Sequence, residues 1–264
     1  MLNTAVRAAR AAGDIIVRAM DRLDRIQIDE KSTNDFVSDV DRRSEREIID
    51  IIHKAYPQHG ILAEESGLQA GDEYQWIIDP LDGTTNYLHG IPHFAVSIAV
   101  SRNDVIEQGV VFDPVKSELF TASRGSGAQL DGKRIRVSDR TSLKGALLAT
   151  GFPFGQMAHL EEYVETMRAL MPLTAGLRRA GSAALDLAYV AAGRFDGFWE
   201  FRLQPWDVAA GSLLIQEAGG IVCGFDGSED FMSAGSLVGA PPKVLRELMP
   251  HMPAQVRTGA RASS

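Results

Sequence analysis

Cysteine is almost missing from this chain: Cys223 is the only one in 264 residues. No intrachain disulfide can form, and a reducing cytoplasm is the expected address. Positive charge is also scarce, with 27 Lys and Arg against 35 Asp and Glu and a formal net charge of −8. That balance disfavours a broad electrostatic grip on nucleic acid, and no direct nucleic-acid binding is expected. Apolar runs such as Phe94 to Val100 are too short to cross a bilayer, so no membrane partner is expected. The N-terminal stretch, with Arg7, Arg10, Asp14 and Arg18 among alanines, has a helical pattern without the apolar core of a secretory signal.

Several motifs are absent too. No GxxxxGK[ST] run occurs, and Gly125-Ser126-Gly127 lacks both a third glycine and a following helix, which argues against a nucleotide-binding loop. His89 and His93 have the spacing of a helical zinc pair, but Gly90 and Pro92 break the helix such a pair needs, which leaves them in a loop beside a site. There is no GxSxG elbow. Cys223 lies in an apolar strand, where an inert core thiol is the expectation.

The remainder is an ordinary globular composition, 45% apolar and 23% charged. Apolar spacing predicts amphipathic helices over 2–23 and about 41–55, with a polar turn at Lys31-Ser32-Thr33-Asn34-Asp35 between them. Short β-rich runs follow at 75–78, 94–100, 105–112 and 119–122, separated by turn residues. Beyond about Leu143 strand and helix alternate: 146–150, 160–170, 182–192, 197–201, 207–218 and 221–224. The predicted organisation is an N-terminal α+β half over 1–142 with an antiparallel sheet and two long helices, a C-terminal α/β half over 143–252, and a flexible tail over 253–264.

Chemistry concentrates in Asp79-Pro80-Leu81-Asp82-Gly83-Thr84-Thr85, which closes the apolar run Trp76-Ile77-Ile78. Two carboxylates beside a glycine-threonine turn combine a cation site with an oxyanion site, since Mg²⁺ takes carboxylate and phosphate oxygens and tight turns present N–H groups to anions. Aspartyl-phosphate enzymes space two aspartates two apart; here they are three apart with Pro80 between, which favours metal ligation. Further acidic residues stand at the ends of predicted elements: Asp41, Glu64, Glu65, Glu200 and Asp207. Any one alone reads most simply as a helix or turn cap. Together, desolvated carboxylates repel one another unless a cation neutralises them. A second anion-friendly turn, Gly181-Ser182-Ala183-Ala184, opens an apolar-periodic segment, although a serine N-cap explains it equally well.

DPLDGTTN, the turn Glu64-Glu65-Ser66 and the run from Trp206 to Gly220 resemble the signature segments of the inositol monophosphatase family. The run Arg178 to Tyr189 is similar to the bacterial, SuhB-like branch. The resemblance implies an α/β sugar-phosphatase fold of alternating helix and sheet layers, αβαβα, shared with fructose-1,6-bisphosphatases. It implies metal ligation by Glu64, Asp79, the Leu81 carbonyl, Asp82 and Asp207, holding two to three Mg²⁺ ions, with Li⁺ as an inhibitor. Thr84 with Asp41 and Glu64 would orient a water for in-line attack on phosphorus, with no covalent enzyme intermediate. Gly83, Thr84, Gly181, Ser182, Ala183, Glu200 and Asp207 would contact substrate, and Lys31 matches a loop lysine near the site. The implied activity is Mg²⁺-dependent hydrolysis of inositol 1-phosphate by a cytoplasmic homodimer. The alternatives are a related phosphatase acting on fructose-1,6-bisphosphate, NADP, 3′-phosphonucleotides or histidinol phosphate, or a protein partner in transcription antitermination.

Overall fold

A computed structural model describes residues 1–20, 28–32, 35–152 and 159–253. Residues 254–264, where most of the flexible tail was expected, and the rim residues Pro153 and Phe154 lie outside the described set.

Two sheets and three helical layers alternate. The first sheet has eight strands in the order β10-β9-β8-β7-β6-β5-β3-β4. These are β3 (Gly60–Ala63), β4 (Gly67–Gln69), β5 (Tyr74–Asp82), β6 (Ala95–Arg102), β7 (Val105–Asp113), β8 (Glu118–Ser123), β9 (Gly127–Leu130) and β10 (Lys133–Arg134). Side-chain alternation along its strands feeds two different cores. Trp76, Ile78, Val96, Ile98 and Val100 pack with α1 (Leu2–Met20) and α2 (Asp39–Ala55), whereas Ile77, Ala95 and Ala99 face the other way. On that second face lie α5 (Ala183–Ala191) and α6 (Pro205–Glu217), whose Ala209 and Ala210 join Ala95 and Ala99 in one cluster of small residues and branched aliphatics.

The same helical layer covers the second sheet, ordered β12-β11-β13-β15-β14. Its strands are β11 (Leu147–Thr150), β12 (Gly176–Arg178), β13 (Gly197–Phe201), β14 (Ile221–Cys223) and β15 (Ser236–Ala240). A third core, including Tyr163, Leu170, Trp199, Leu245 and Leu248, seats α4 (Leu160–Leu170) and α8 (Pro242–Leu248) on its outer face. The layers therefore read αβαβα. Short helices α3 (Thr84–Leu88) and α7 (Phe231–Ala234) complete the chain.

Two local expectations change. Of the polar turn predicted at 31–35, 33–34 lie outside the described residues, and the flanking residues belong to two antiparallel strands, β1 (Ile28–Ser32) and β2 (Asp35–Ser38), in which Ser32 pairs with Asp35. The first sheet is also not wholly antiparallel, because β3 runs parallel to β5. Which strands pair, and in which direction, depends on contacts across the fold and leaves no local period to read.

Candidate active site

The aspartates of β5 owe their placement to a ladder irregularity. Asp79 pairs with Ser97 and Asp82 with Ala95, so three steps along β5 match two along β6. Residues three apart on a regular strand point to opposite faces; one extra residue restores a common face. Pro80, which has no N–H for the ladder, sits in the bulge. Parallel pairing then brings Glu64 alongside: Ala63 pairs with Ile78, and the Glu64 N–H donates to the Ile78 carbonyl at 3.1 Å. The Ser97 hydroxyl, opposite Asp79, donates to the Trp206 carbonyl at 3.2 Å and fixes the first turn of α6, which carries Asp207.

Each aspartate gives an oxygen to the fold. Asp79 Oδ1 accepts from the Leu81 N–H at 2.9 Å. Asp82 Oδ2 accepts from the Ser182 hydroxyl at 2.6 Å and the Ala184 N–H at 2.7 Å. Asp207 Oδ2 accepts from the Gln204 N–H at 2.7 Å. Asp41 Oδ2 accepts from the Ser38 N–H at 2.9 Å and the Ser38 hydroxyl at 2.5 Å, closing the capping box of α2. The capping roles expected of isolated acidic residues are thus real for Asp41 and Asp207. They leave the second oxygen of each carboxylate for other work.

Thr84 is the point of convergence. Its hydroxyl lies 3.0 Å from Asp41 Oδ1 and 3.0 Å from the Leu81 carbonyl, so it can donate to either while its lone pairs stay open to a water. Gly83, just before it, adopts φ 96°, and a Cβ there would stand 3.1 Å from the carbonyls of both Gly181 and His93. Only glycine allows this turn to approach the loop ahead of α5 so closely.

The electrostatics are those of crowded carboxylates. Burial pushes Asp79 well above the ordinary range, and Glu64, Asp82 and Asp207 push it further. Asp82 is raised by burial to about 6 despite the Ser182 and Ala184 hydrogen bonds that hold it down. Asp207 is raised well above its usual value, by burial first and then by Asp82. Burial also raises Asp41, against its Ser38 and Thr84 hydrogen bonds. Glu200 reaches about 8 through burial, with Arg179 opposing. Among the described residues no three His, Cys, Asp or Glu side chains stand as a ready-made ligand cage. The donor set still fits a hard cation: oxygen atoms only, carrying like charges that raise one another, with the Leu81 carbonyl 3.0 Å from the Thr84 hydroxyl.

Asp82, Arg179, Ser182, Glu200 and Asp207 border a pocket of 140 Å³, and Gly181 and Ala183 line it as well. The anion seated on the N-terminus of α5 is the Asp82 carboxylate itself, so the predicted small-residue turn serves first to anchor that side chain. Glu65 lies apart from this pocket, its N–H donating to Glu45 Oε2 at 2.8 Å. His89 is exposed at the end of α3; His93 is half-buried, and burial lowers its pKa. Cys223 is buried in β14 and its thiol is pushed up, in keeping with an inert core residue. The sequence reading gave no role to Asn86, although it lies inside the DPLDGTTN run. Its side-chain amide donates to the His93 and Ala180 carbonyls, both at 2.8 Å, and so staples the Gly83 turn to the loop before α5.

The family model described as the inositol monophosphatase family matches residues 1–257. This chain belongs to that family. It is 53% identical over 267 residues to a Pseudomonas aeruginosa protein named Nus factor SuhB, covering 97% of this chain and 98% of the relative. The crystal structure of the extragenic suppressor protein suhB from Bartonella henselae superposes with a TM-score of 0.92 at 43% identity, covering 98% of each chain. An inositol monophosphatase from Thermotoga maritima superposes with a TM-score of 0.87 at 35% identity, covering 97% of each. The αβαβα layering is therefore the layering of inositol monophosphatases. No described helix is long and apolar enough to cross a membrane.

Proposed function

We propose that the chain is a Mg²⁺-dependent phosphate-monoester hydrolase acting on myo-inositol monophosphate, releasing myo-inositol and phosphate. The observation that carries this reading is the convergence of Glu64, Asp79, Asp82 and Asp207, from distant parts of the chain, into one group of mutually repelling carboxylates beside the Thr84 hydroxyl. Glu64, Asp79, Asp82, Asp207 and the Leu81 carbonyl would hold the metal. When bound, Mg²⁺ supplies charge neutralisation for the phosphoryl oxygens and makes a water more acidic. Thr84 Oγ1 would accept a hydrogen bond from the attacking water and pass its own proton toward Asp41 Oδ1, and Glu64 would help to orient that water. Burial makes Asp41 a stronger base than an exposed carboxylate, which suits it to receive that proton. The N–H groups of the Gly83–Thr84 turn would receive the phosphate, while Asp82 is held by the Ser182 hydroxyl.

Positioning and electrostatics are the main means of accelerating phosphoryl transfer, which suits a site of grouped carboxylates beside a hydroxyl. The test is phosphate release from myo-inositol 1-phosphate with Mg²⁺ or with EDTA, alongside fructose-1,6-bisphosphate, NADP, a 3′-phosphonucleotide and histidinol phosphate. Release from inositol phosphate only with Mg²⁺ supports the reading; preference for another ester reassigns the substrate, and no release from any overturns it.

A second reading rests on the name Nus factor SuhB borne by the Pseudomonas relative. By it, the chain works as a protein partner in transcription antitermination, with or without turnover. Growth restored in a strain lacking its own copy by a phosphatase-dead Asp82→Asn protein favours this role; failure of that protein, with rescue by the unaltered chain, favours the enzyme.

A further inference from the structure

One buried carboxylate on α2 has no place in the chemistry above. The buried face of that helix carries Val40, Asp41, Ser44, Glu45 and Ile48, and Glu45 is 3% exposed. Charged side chains are seldom buried so deeply without a partner. Asp41 and Glu45 are four apart, hence neighbours one turn along the same face. Asp41 Oδ1 meets the Thr84 hydroxyl at 3.0 Å, and Glu45 Oε2 accepts the Glu65 N–H at 2.8 Å. One helix face therefore touches two separate parts of the site, the turn after β5 and the turn after β3.

The turn after β3 has little else to hold it. Glu64, Glu65 and Ser66 lead from β3 into β4, where Ala63 pairs with Gly67. β4 is three residues long, stands at the edge of the sheet beside β3 and leaves Leu68 68% exposed. Packing from that side is slight, and two consecutive N–H groups tie the turn inward: Glu64 to the Ile78 carbonyl at 3.1 Å, and Glu65 to Glu45. The first sets the turn against β5, the second against α2. The Glu64 carboxylate stands near enough to Asp79 and Asp207 to raise both. Resting on the Mg²⁺-dependent phosphatase reading, we propose that Glu45 is a positioning residue for the metal centre: by holding the Glu65 N–H it fixes the backbone from which Glu64 would reach the metal. Loss of a hydrogen bond that supports a ligating group commonly weakens metal binding by about ten- to a hundredfold.

Calorimetric titration of wild type, Glu45→Leu and Glu45→Gln with Mg²⁺, without substrate, tests this. Leucine fills the buried space and deletes the acceptor, so the apparent Kd for Mg²⁺ should rise by about tenfold or more. Glutamine removes the charge but keeps an oxygen for the Glu65 N–H, and its Kd should stay within about threefold of wild type. An unchanged Kd in Glu45→Leu overturns the proposal and leaves the phosphatase reading standing. So does an equal loss in the glutamine protein, because the missing charge is then the cause. If the leucine protein does not fold, Glu45→Ala is titrated in its place; failure of both to fold makes Glu45 a structural brace only and overturns the proposal too. A wild-type chain that binds no Mg²⁺ overturns both readings, whereas one that binds Mg²⁺ and releases no phosphate overturns the phosphatase reading alone.

Discussion

Asp113 and Asp79 both sit near the end of a strand of the first sheet, and both are buried, at 0% and 2% exposure. Their surroundings differ in kind. Asp113 accepts from the Val115 and Lys116 N–H groups at 3.0 and 2.9 Å and from the Lys116 ammonium at 2.5 Å. Asp79 has the Leu81 N–H, and around it stand Glu64, Asp82 and Asp207. A buried carboxylate with a full set of donors and a cation holds a turn together; one surrounded by its own kind destabilises the fold until something positive arrives. Burial does not separate the two classes. Partners do.

The sharpest way to break this contrast is Asp82→Asn. The amide oxygen can still accept from Ser182 and Ala184, so the fold should survive, seen as an unchanged circular dichroism spectrum. Phosphate release with Mg²⁺ should fall by about a thousandfold or more. Near-normal turnover would remove Asp82 from the ligand set. Next in size is Thr84→Val, which keeps the shape and deletes the hydroxyl between Asp41 and Leu81; kcat should fall by about a hundredfold, with Thr84→Ser recovering most of it. Equal rates for valine and serine would deny the hydroxyl its role.

The structural class should answer differently. Asp113→Ala leaves the Val115 and Lys116 N–H groups without their acceptor, and about 2–3 kcal/mol of unfolding free energy should be lost in urea titrations. Turnover per folded molecule should not change. A stability unaffected by this change would mean water replaces the carboxylate without cost.

The smallest expected effect concerns pH. Glu200 is raised from 4.5 to about 8 in the fold, so its contribution to stability is fully present below 4.5 and is lost as pH rises through about 8. In EDTA, the unfolding midpoint should fall as pH climbs across that window, and Glu200→Gln should flatten the decline. The same slope in both proteins would place the titration elsewhere.

Much of the fold was legible. The helix expected over 160–170 is α4, and the strand expected over 197–201 is β13, each with the boundaries read from apolar spacing and turn residues. DPLDGTT was legible as a candidate site because its unusual residues are contiguous. Less visible were the parallel pairing of β3 with β5 and the β1–β2 pairing, since strand partners are chosen across the fold. Asn86 and Glu45 carry no mark in the sequence for a different reason. Asn86 acts through the carbonyls of His93 and Ala180, and Glu45 through the N–H of Glu65, both of which are facts of packing.

The sequence by itself determined the local features: where helices begin, where β5 runs out into a proline and a glycine, and that acidic side chains gather at element ends. Those depend on backbone preferences and periodicity within a few residues. Only the tertiary structure decided which carboxylates became a group. The bulge put Asp79 and Asp82 on one face, parallel pairing set Glu64 beside them, and Ser97 drew in the start of α6 with Asp207. The reason is that desolvation and like-charge repulsion depend on distances across the fold, and the same Asp in the same local turn is a cap, an ion-pair partner or a ligand according to what packs against it.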